Sequence, residues 1–232
     1  MNTLSPLSLE SRPVPSRRRA RTGICFVSLT VCLVAMSAFS SSTAAAMLSG
    51  PALVRQLLHG GFVLVMRHAQ SPDAPPAATE AAPGNPAHER QLDSKGMAEA
   101  RELGQAMRKL GIPIGKSYSS PTYRARETIR LAGLGVPQIV MELAEGPRGM
   151  LGSAGRAQTQ WLRMATTRAP LKGTNTLIVT HTPNIVGAFG PAVADIQAGE
   201  MIVFNPAAGA GSAIVGRITV AQWRRLAMAS RP

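Results

Sequence analysis

Apolar positions along this chain alternate between helical stripes and short unbroken runs. ALVRQLL (52–58) repeats at helical spacing and stops before Gly60 and Gly61, and Phe62 to Met66 then form a continuous apolar run, which predicts a helix followed by a buried strand. Met97, Ala100, Leu103, Met107 and Leu110 recur every three or four residues, predicting an amphipathic helix over 94–111 with Ser94 as cap and Gly111 as stop. A short strand is expected at 116–120. A helix over 122–135 follows it, with Pro121 suited to its first turn and a glycine at its end. Further strands are expected at 136–143, 175–181, 200–206 and 212–220, with a helix at 155–169 and a short terminal helix carrying Trp223.

Strands alternating with helices predict an α/β fold, a three-layer sandwich whose mostly parallel central sheet is flanked by helices. In such sheets ligands sit beyond the carboxyl ends of the strands. Two predicted strands end on histidine there: Arg67 and His68 close one, Thr180 and His181 the other.

Residues 72–90 are rich in Pro and Ala, lack periodicity and read as a long surface loop, so His88 and Glu89 are left outside the site. Trp161 and Trp223 read as core or edge aromatics and His59 as a helix-end residue.

The N-terminus has a different pattern. Arg12, Arg17, Arg18, Arg19 and Arg21 precede the apolar run 24–39 and a small-residue stretch ending at Ala44–Ala46. That order is the layout of a secretory signal, so residues 1–46 are expected to be a signal peptide, with an uncleaved membrane anchor as the alternative, and 47–232 the working domain. An exported, periplasmic protein is expected, or one anchored in the inner membrane. Cys25 and Cys32 both lie in the leader, which leaves no thiol for disulfides, nucleophilic catalysis or metal binding after cleavage.

Removing 1–46 takes five arginines and Glu10 from 25 basic and 12 acidic residues, leaving 20 and 11, a charge of +9. The excess favours anionic partners. Nucleic acid is not among those expected, because aromatic residues are only 4% of the chain and there is no zinc-finger spacing or long basic helix.

The candidate chemistry is that of a phosphoryl group. Arg124 falls on the first turn of a helix after a strand, where backbone N–H groups already favour an anion, and guanidinium forks match phosphoryl oxygens. Arg126 and Arg130 read as a solvated helix face.

VMRHA (65–69), LDSKGMAEARELG (92–104), SSPTYRARETI (119–129) and VTHTPNI (179–185), in this order, resemble the motifs of the histidine phosphatase superfamily, which has the phosphoglycerate-mutase-like fold. The resemblance implies that His68 attacks phosphorus to form a transient phosphohistidine, while Arg67, Arg124 and His181 hold the phosphoryl oxygens. No cofactor and no metal is implied. A carboxylic acid should protonate the leaving group. LAEGPRG (143–149) resembles the family's acid motif and nominates Glu145; Glu200 is the second candidate, with Glu142 and Asp73 behind it. Thr182 stands where the acid phosphatase and phytase branch has aspartate, and the compact chain looks more like the small bacterial phosphohistidine phosphatases and exported envelope-linked members. The expectation is an exported, metal-independent phosphomonoesterase acting on a small phosphorylated substrate or an envelope-linked phosphate. The alternatives are a phosphohistidine phosphatase and a non-catalytic phosphate-binding module.

Overall fold

The structure, a computed structural model, describes residues 47–72, 89–145, 153–208 and 213–230. The expected leader at 1–46, Asp73, His88 and most of the loop at 72–90 lie outside the described residues.

Strands β1 (Val63–Arg67), β2 (Ile114–Ser119), β3 (Gln138–Ile139), β4 (Asn175–Thr180), β5 (Met201–Asn205) and β6 (Ala213–Ile218) form one sheet in the order β3-β2-β4-β1-β5-β6. The first four strands of that order are mutually parallel, and β5 runs antiparallel to both of its neighbours, β1 and β6.

Helices cover both faces. On one lie α1 (Gly50–His59), α2 (Ser94–Lys109), α3 (Tyr123–Ala132) and α6 (Val220–Ala229), which bury Leu57, Leu103, Ile129 and Trp223 against Leu64, Met66, Leu177 and Val179. On the other, α4 (Ser153–Thr166) and α5 (Thr182–Phe189) bury Leu162 and Ile185 against Val63, Val65 and Ile178. Alternate residues of β1 and β4 thus enter opposite cores, which is why these strands are apolar without interruption. The expected α/β three-layer sandwich is the observed architecture.

Local differences have local causes. Asp93, rather than Ser94, caps α2, its Oδ1 accepting the Gly96 N–H at 2.7 Å. α3 ends at Ala132 because Gly133 adopts a left-handed φ of 63°. Pro121 stays outside the helix, before the cap at Thr122. The strand expected at 136–143 shrinks to the two-residue β3 followed by a 3-10 turn at Met141–Leu143. Pro137 has no N–H to give an edge ladder, and Val136 is 95% exposed, so most of this apolar run has no sheet to join. α5 was not expected: eight residues, apolar around most of the circumference, carry too little periodicity to mark a helix.

One glycine positions the site. At Gly96 a Cβ would lie 2.0 Å from the carbonyl oxygen of Gln70, so the absence of a side chain lets α2 dock on the segment that leaves His68.

Candidate active site

Parallel pairing of β1 with β4 sets Arg67 opposite Thr180, so the next residues, His68 and His181, emerge together at the carboxyl edge of the sheet. His68 N–H donates to the Thr180 carbonyl at 3.0 Å. α3 begins just after the neighbouring strand β2 and brings Arg124 into the same place. All three side chains are buried.

Arg124 is the hub. Its Nε donates to His68 Nε2 at 3.1 Å, its Nη2 to His181 Nδ1 at 3.1 Å, and Nη2 also donates to the Glu145 carboxylate in an ion pair. Glu145 remains 35% exposed, so this carboxylate faces both the guanidinium and solvent.

The hydrogen bonds assign the proton on His68. Nδ1 lies 2.7 Å from the Ala69 carbonyl oxygen, which can only accept, so Nδ1 carries the hydrogen. Nε2 therefore presents its lone pair, and this is the nitrogen facing the guanidinium. Ala69 is held in turn by its N–H to Thr128 Oγ1 at 3.1 Å, and the Thr128 hydroxyl donates to the Arg124 carbonyl at 2.7 Å. One threonine thus couples the segment after β1 to α3.

Burial, then the neighbouring charge of Arg124, push the His68 pKa down to about 3, with Arg90 and Arg67 adding to the effect and the Ala69 hydrogen bond opposing it. Burial likewise holds His181 well below the ordinary histidine value, helped by His68, Arg124, Arg90 and Arg67. Both rings are therefore neutral near pH 7. Desolvation lowers the pKa of Arg124 from its ordinary value, and Glu145 acts in the opposite direction.

Arg67 lies within electrostatic reach of both histidines, and its Nη1 donates to the Ile196 carbonyl at 3.0 Å. The structure thus brings Arg67, His68, Arg124, Glu145 and His181 together.

Glu200 is placed otherwise. Its backbone carbonyl accepts the Arg67 N–H, but its side chain is buried with Oε1 on Arg217 Nε at 2.8 Å and Oε2 on Gln197 N at 2.8 Å. Both oxygens serve to tie the 195–200 turn to β6, and among the described residues no hydrogen bond joins this carboxylate to His68, His181 or Arg124. The strand-start position suggested a border with the substrate; the ion pair with Arg217 turns the side chain elsewhere. Glu142 lies exposed on the 3-10 turn.

Several contributors carried no pattern in the sequence. Arg90, at the end of the Pro/Ala-rich stretch, acts electrostatically on both histidines and on Arg124, and its buried Nε has no hydrogen-bond partner among the described residues. Glu89 is buried and its carboxylate accepts the Tyr123 N–H at the start of α3, with Arg126 at 3.9 Å. Arg126 is therefore not purely a solvated helix residue, whereas Arg130 is largely exposed and pairs with Glu127. Ser120 Oγ lies 2.9 Å from His181 Nε2. Ser120 belongs to the serine–proline motif at 119–129, but only the fold shows what it touches.

Two clefts of about 270 and 210 Å³ open along Ile114–Tyr118 and between β2, β4 and the end of α4. Neither is lined by His68, His181 or Arg124, so the chemistry of the side chains identifies the site. Among the described residues no three His, Cys, Asp or Glu side chains are grouped to hold a metal ion, and no helix is long and apolar enough to cross a membrane.

Comparison with known proteins extends the geometry. No curated protein matches the chain. Among solved structures, a phosphoserine phosphatase mutant from Entamoeba histolytica in complex with phosphoserine is 14% identical, with a TM-score of 0.50 over 69% of this chain and 98% of that one. The protein histidine phosphatase SixA complexed with tungstate is 17% identical, with a TM-score of 0.46 over 69% of this chain and 97% of that one. At 14% identity the likeness to the phosphoserine phosphatase is one of fold alone, the phosphoglycerate-mutase-like α/β sandwich. The family model of the histidine phosphatase superfamily (branch 1) matches residues 63–149, the span that contains Arg67, His68, Arg124 and Glu145, and it is to this superfamily that the chain's sequence is similar.

Proposed function

We propose that the protein is a metal-independent phosphomonoesterase that works through a phosphohistidine on His68. The observation that carries this reading is Arg124, whose single guanidinium joins His68, His181 and Glu145. Side chains from four separate segments converge on a cationic centre with a nucleophilic lone pair beside it.

His68 Nε2 attacks phosphorus, and the bond to the leaving oxygen breaks. The lowered His68 pKa keeps that nitrogen unprotonated at neutral pH. Arg67, Arg124 and His181 hold the three non-bridging oxygens as charge spreads over them. When the phosphoryl group takes the Arg124 donors, Glu145 is released from its ion pair. Glu145, which also faces solvent, then passes a proton taken from solvent to the leaving alkoxide. Water attacks the phosphohistidine, Glu145 carboxylate accepts the water's proton, and inorganic phosphate leaves with His68 restored.

The presence of Glu145 on Arg124 favours turnover over a module that only binds phosphate. The basic, apolar and small-residue order of 1–46 favours an exported protein working on a small phosphorylated substrate or an envelope-linked phosphate. Membrane attachment would come only from an uncut leader.

The test is phosphate release from p-nitrophenyl phosphate by the wild-type protein beside His68→Ala. Turnover that falls by roughly 10³-fold or more in the variant supports the reading. Folded wild-type protein without turnover, or a variant that keeps it, overturns it.

A further inference from the structure

The same hydrogen-bond logic that assigns the His68 proton assigns that of His181, with the opposite result. A guanidinium only donates, so the 3.1 Å contact from Arg124 Nη2 makes His181 Nδ1 an acceptor. The ring's one hydrogen is then on Nε2 and points to Ser120 Oγ at 2.9 Å, with Thr122 Oγ1 farther off at 3.4 Å. Ser120 Oγ also accepts the Thr122 N–H at 3.3 Å and sends its own hydrogen to Thr122 Oγ1 at 3.2 Å. One donor and two acceptor positions are all a hydroxyl has, and all three are used. Ser120 therefore cannot give a hydrogen to His181, and the ring is locked with its Nδ1 lone pair towards Arg124.

Resting on the phosphatase reading above, we infer that a phosphate-like dianion enters this site together with one proton, taken up on His181 Nδ1, and that Ser120 is the positioning residue which makes that uptake necessary. His68 faces the electrophilic phosphorus and needs a lone pair. His181 faces oxygen, and a lone pair set against an oxyanion repels it. As an anion oxygen displaces Nδ1 from Arg124 Nη2, a proton from solvent binds Nδ1 and the imidazolium donates to that oxygen.

The surroundings allow this only when the anion is present. His181 is faced by His68 and Arg67 from the end of β1, by Arg124 from α3 and by Arg90 from the segment before α2, while Glu145 lies across Arg124 and Ser120 and Thr122 are neutral. Without an anion, burial first and the surrounding cations second keep the ring neutral. A dianion offsets the cations and admits the proton.

Tungstate is a suitable probe, because it is a full dianion at neutral pH and brings no proton of its own. Calorimetric titration of the full chain in buffers of different ionisation enthalpy counts the protons taken up. The expectation is about one proton per tungstate near pH 7.5 for wild type and also for His68→Asn. Ser120→Thr keeps the count. In Ser120→Ala/Thr122→Val it falls well below one, because the ring can hold its single hydrogen on Nδ1. Long-range 1H–15N spectra of the wild-type complex should show both nitrogens of His181 protonated.

No uptake in wild type overturns the inference. So does loss of uptake in His68→Asn, or equal uptake in a double variant that still binds tungstate. If the double variant does not fold, the wild-type count and the His181 nitrogen pattern decide. Turnover of p-nitrophenyl phosphate without proton uptake would sink this inference and leave the phosphatase reading standing. Absence of both tungstate binding and turnover would sink both.

Discussion

His68 and His181 stand with ring centroids 5.2 Å apart and planes inclined by 63°, because Arg67 and Thr180, the residues before them, are partners in the parallel register of β1 and β4. Strand pairing, not proximity in sequence, builds the pair. The two rings then differ in proton placement, His68 carrying its hydrogen on Nδ1 and His181 on Nε2, so that both lone pairs converge on Arg124.

Arg124→Lys tests the guanidinium fork. One ammonium on a flexible stem cannot hold the geometry of donors to His68 Nε2, His181 Nδ1 and Glu145 together. kcat/KM for p-nitrophenyl phosphate should fall by about 10²-fold or more with the circular dichroism spectrum unchanged. A drop of only a few fold would show that any cation suffices there.

Glu145→Gln separates nucleophile from acid. p-Nitrophenolate leaves with little proton assistance and an alkoxide does not. The variant should keep p-nitrophenyl phosphate turnover within a few fold and lose about 10²-fold on an alkyl phosphate such as β-glycerophosphate. Equal losses on both substrates would make Glu145 a structural partner of Arg124.

Glu200→Gln should behave differently. Its carboxylate is buried against Arg217, so the change weakens a buried ion pair and should lower stability by about 1–3 kcal/mol. kcat on an alkyl phosphate, measured on folded protein, should stay within a few fold. A selective loss on the alkyl substrate would transfer the acid role from Glu145 to Glu200.

The buried histidines make stability depend on pH. In the folded protein the His68 pKa is about 3, against about 6.5 when the chain is unfolded. Above pH 6.5 neither state binds the proton and the contribution is fully present. Between about 6.5 and 3 the unfolded state binds a proton that the folded state does not, so stability falls as pH falls, by up to about 1.4 kcal/mol per pH unit. His181 acts in the same direction. Urea titrations at pH 7.5, 6 and 5 should show a shallower loss in His68→Asn than in wild type. Parallel losses would mean that the His68 pKa is not depressed in the folded chain.

Much of this was legible before folding, and the reasons are local. The short unbroken apolar run at 62–66, bounded by Gly60 and Gly61, reads as a strand covered on both faces, and the stripe from Met97 to Leu110 as one helical face. An arginine and histidine ending such a strand, with a second histidine ending another and Arg124 opening a helix, are polar groups at the edge where an α/β sheet binds ligands. Where the pattern was weak, the reading went astray: most of 136–143 found no partner strand, and α5 was too short and too apolar to show a period.

The remaining assignments depend on long-range contacts. Glu145 and Glu200 are the same residue type, and the motif at 143–149 favours the first without naming a partner for either; only the fold shows that one meets Arg124 and the other Arg217. Arg90 reaches the histidines only because α2 packs on the backbone at Gln70, and Ser120 meets His181 only because β2 lies beside β4. Periodicity and strand-end chemistry are properties of a few consecutive residues and can be read from them. The proton positions, the ion-pair partners and the choice between two carboxylates arise from side chains distant in sequence, and they exist only once the sheet has set its register.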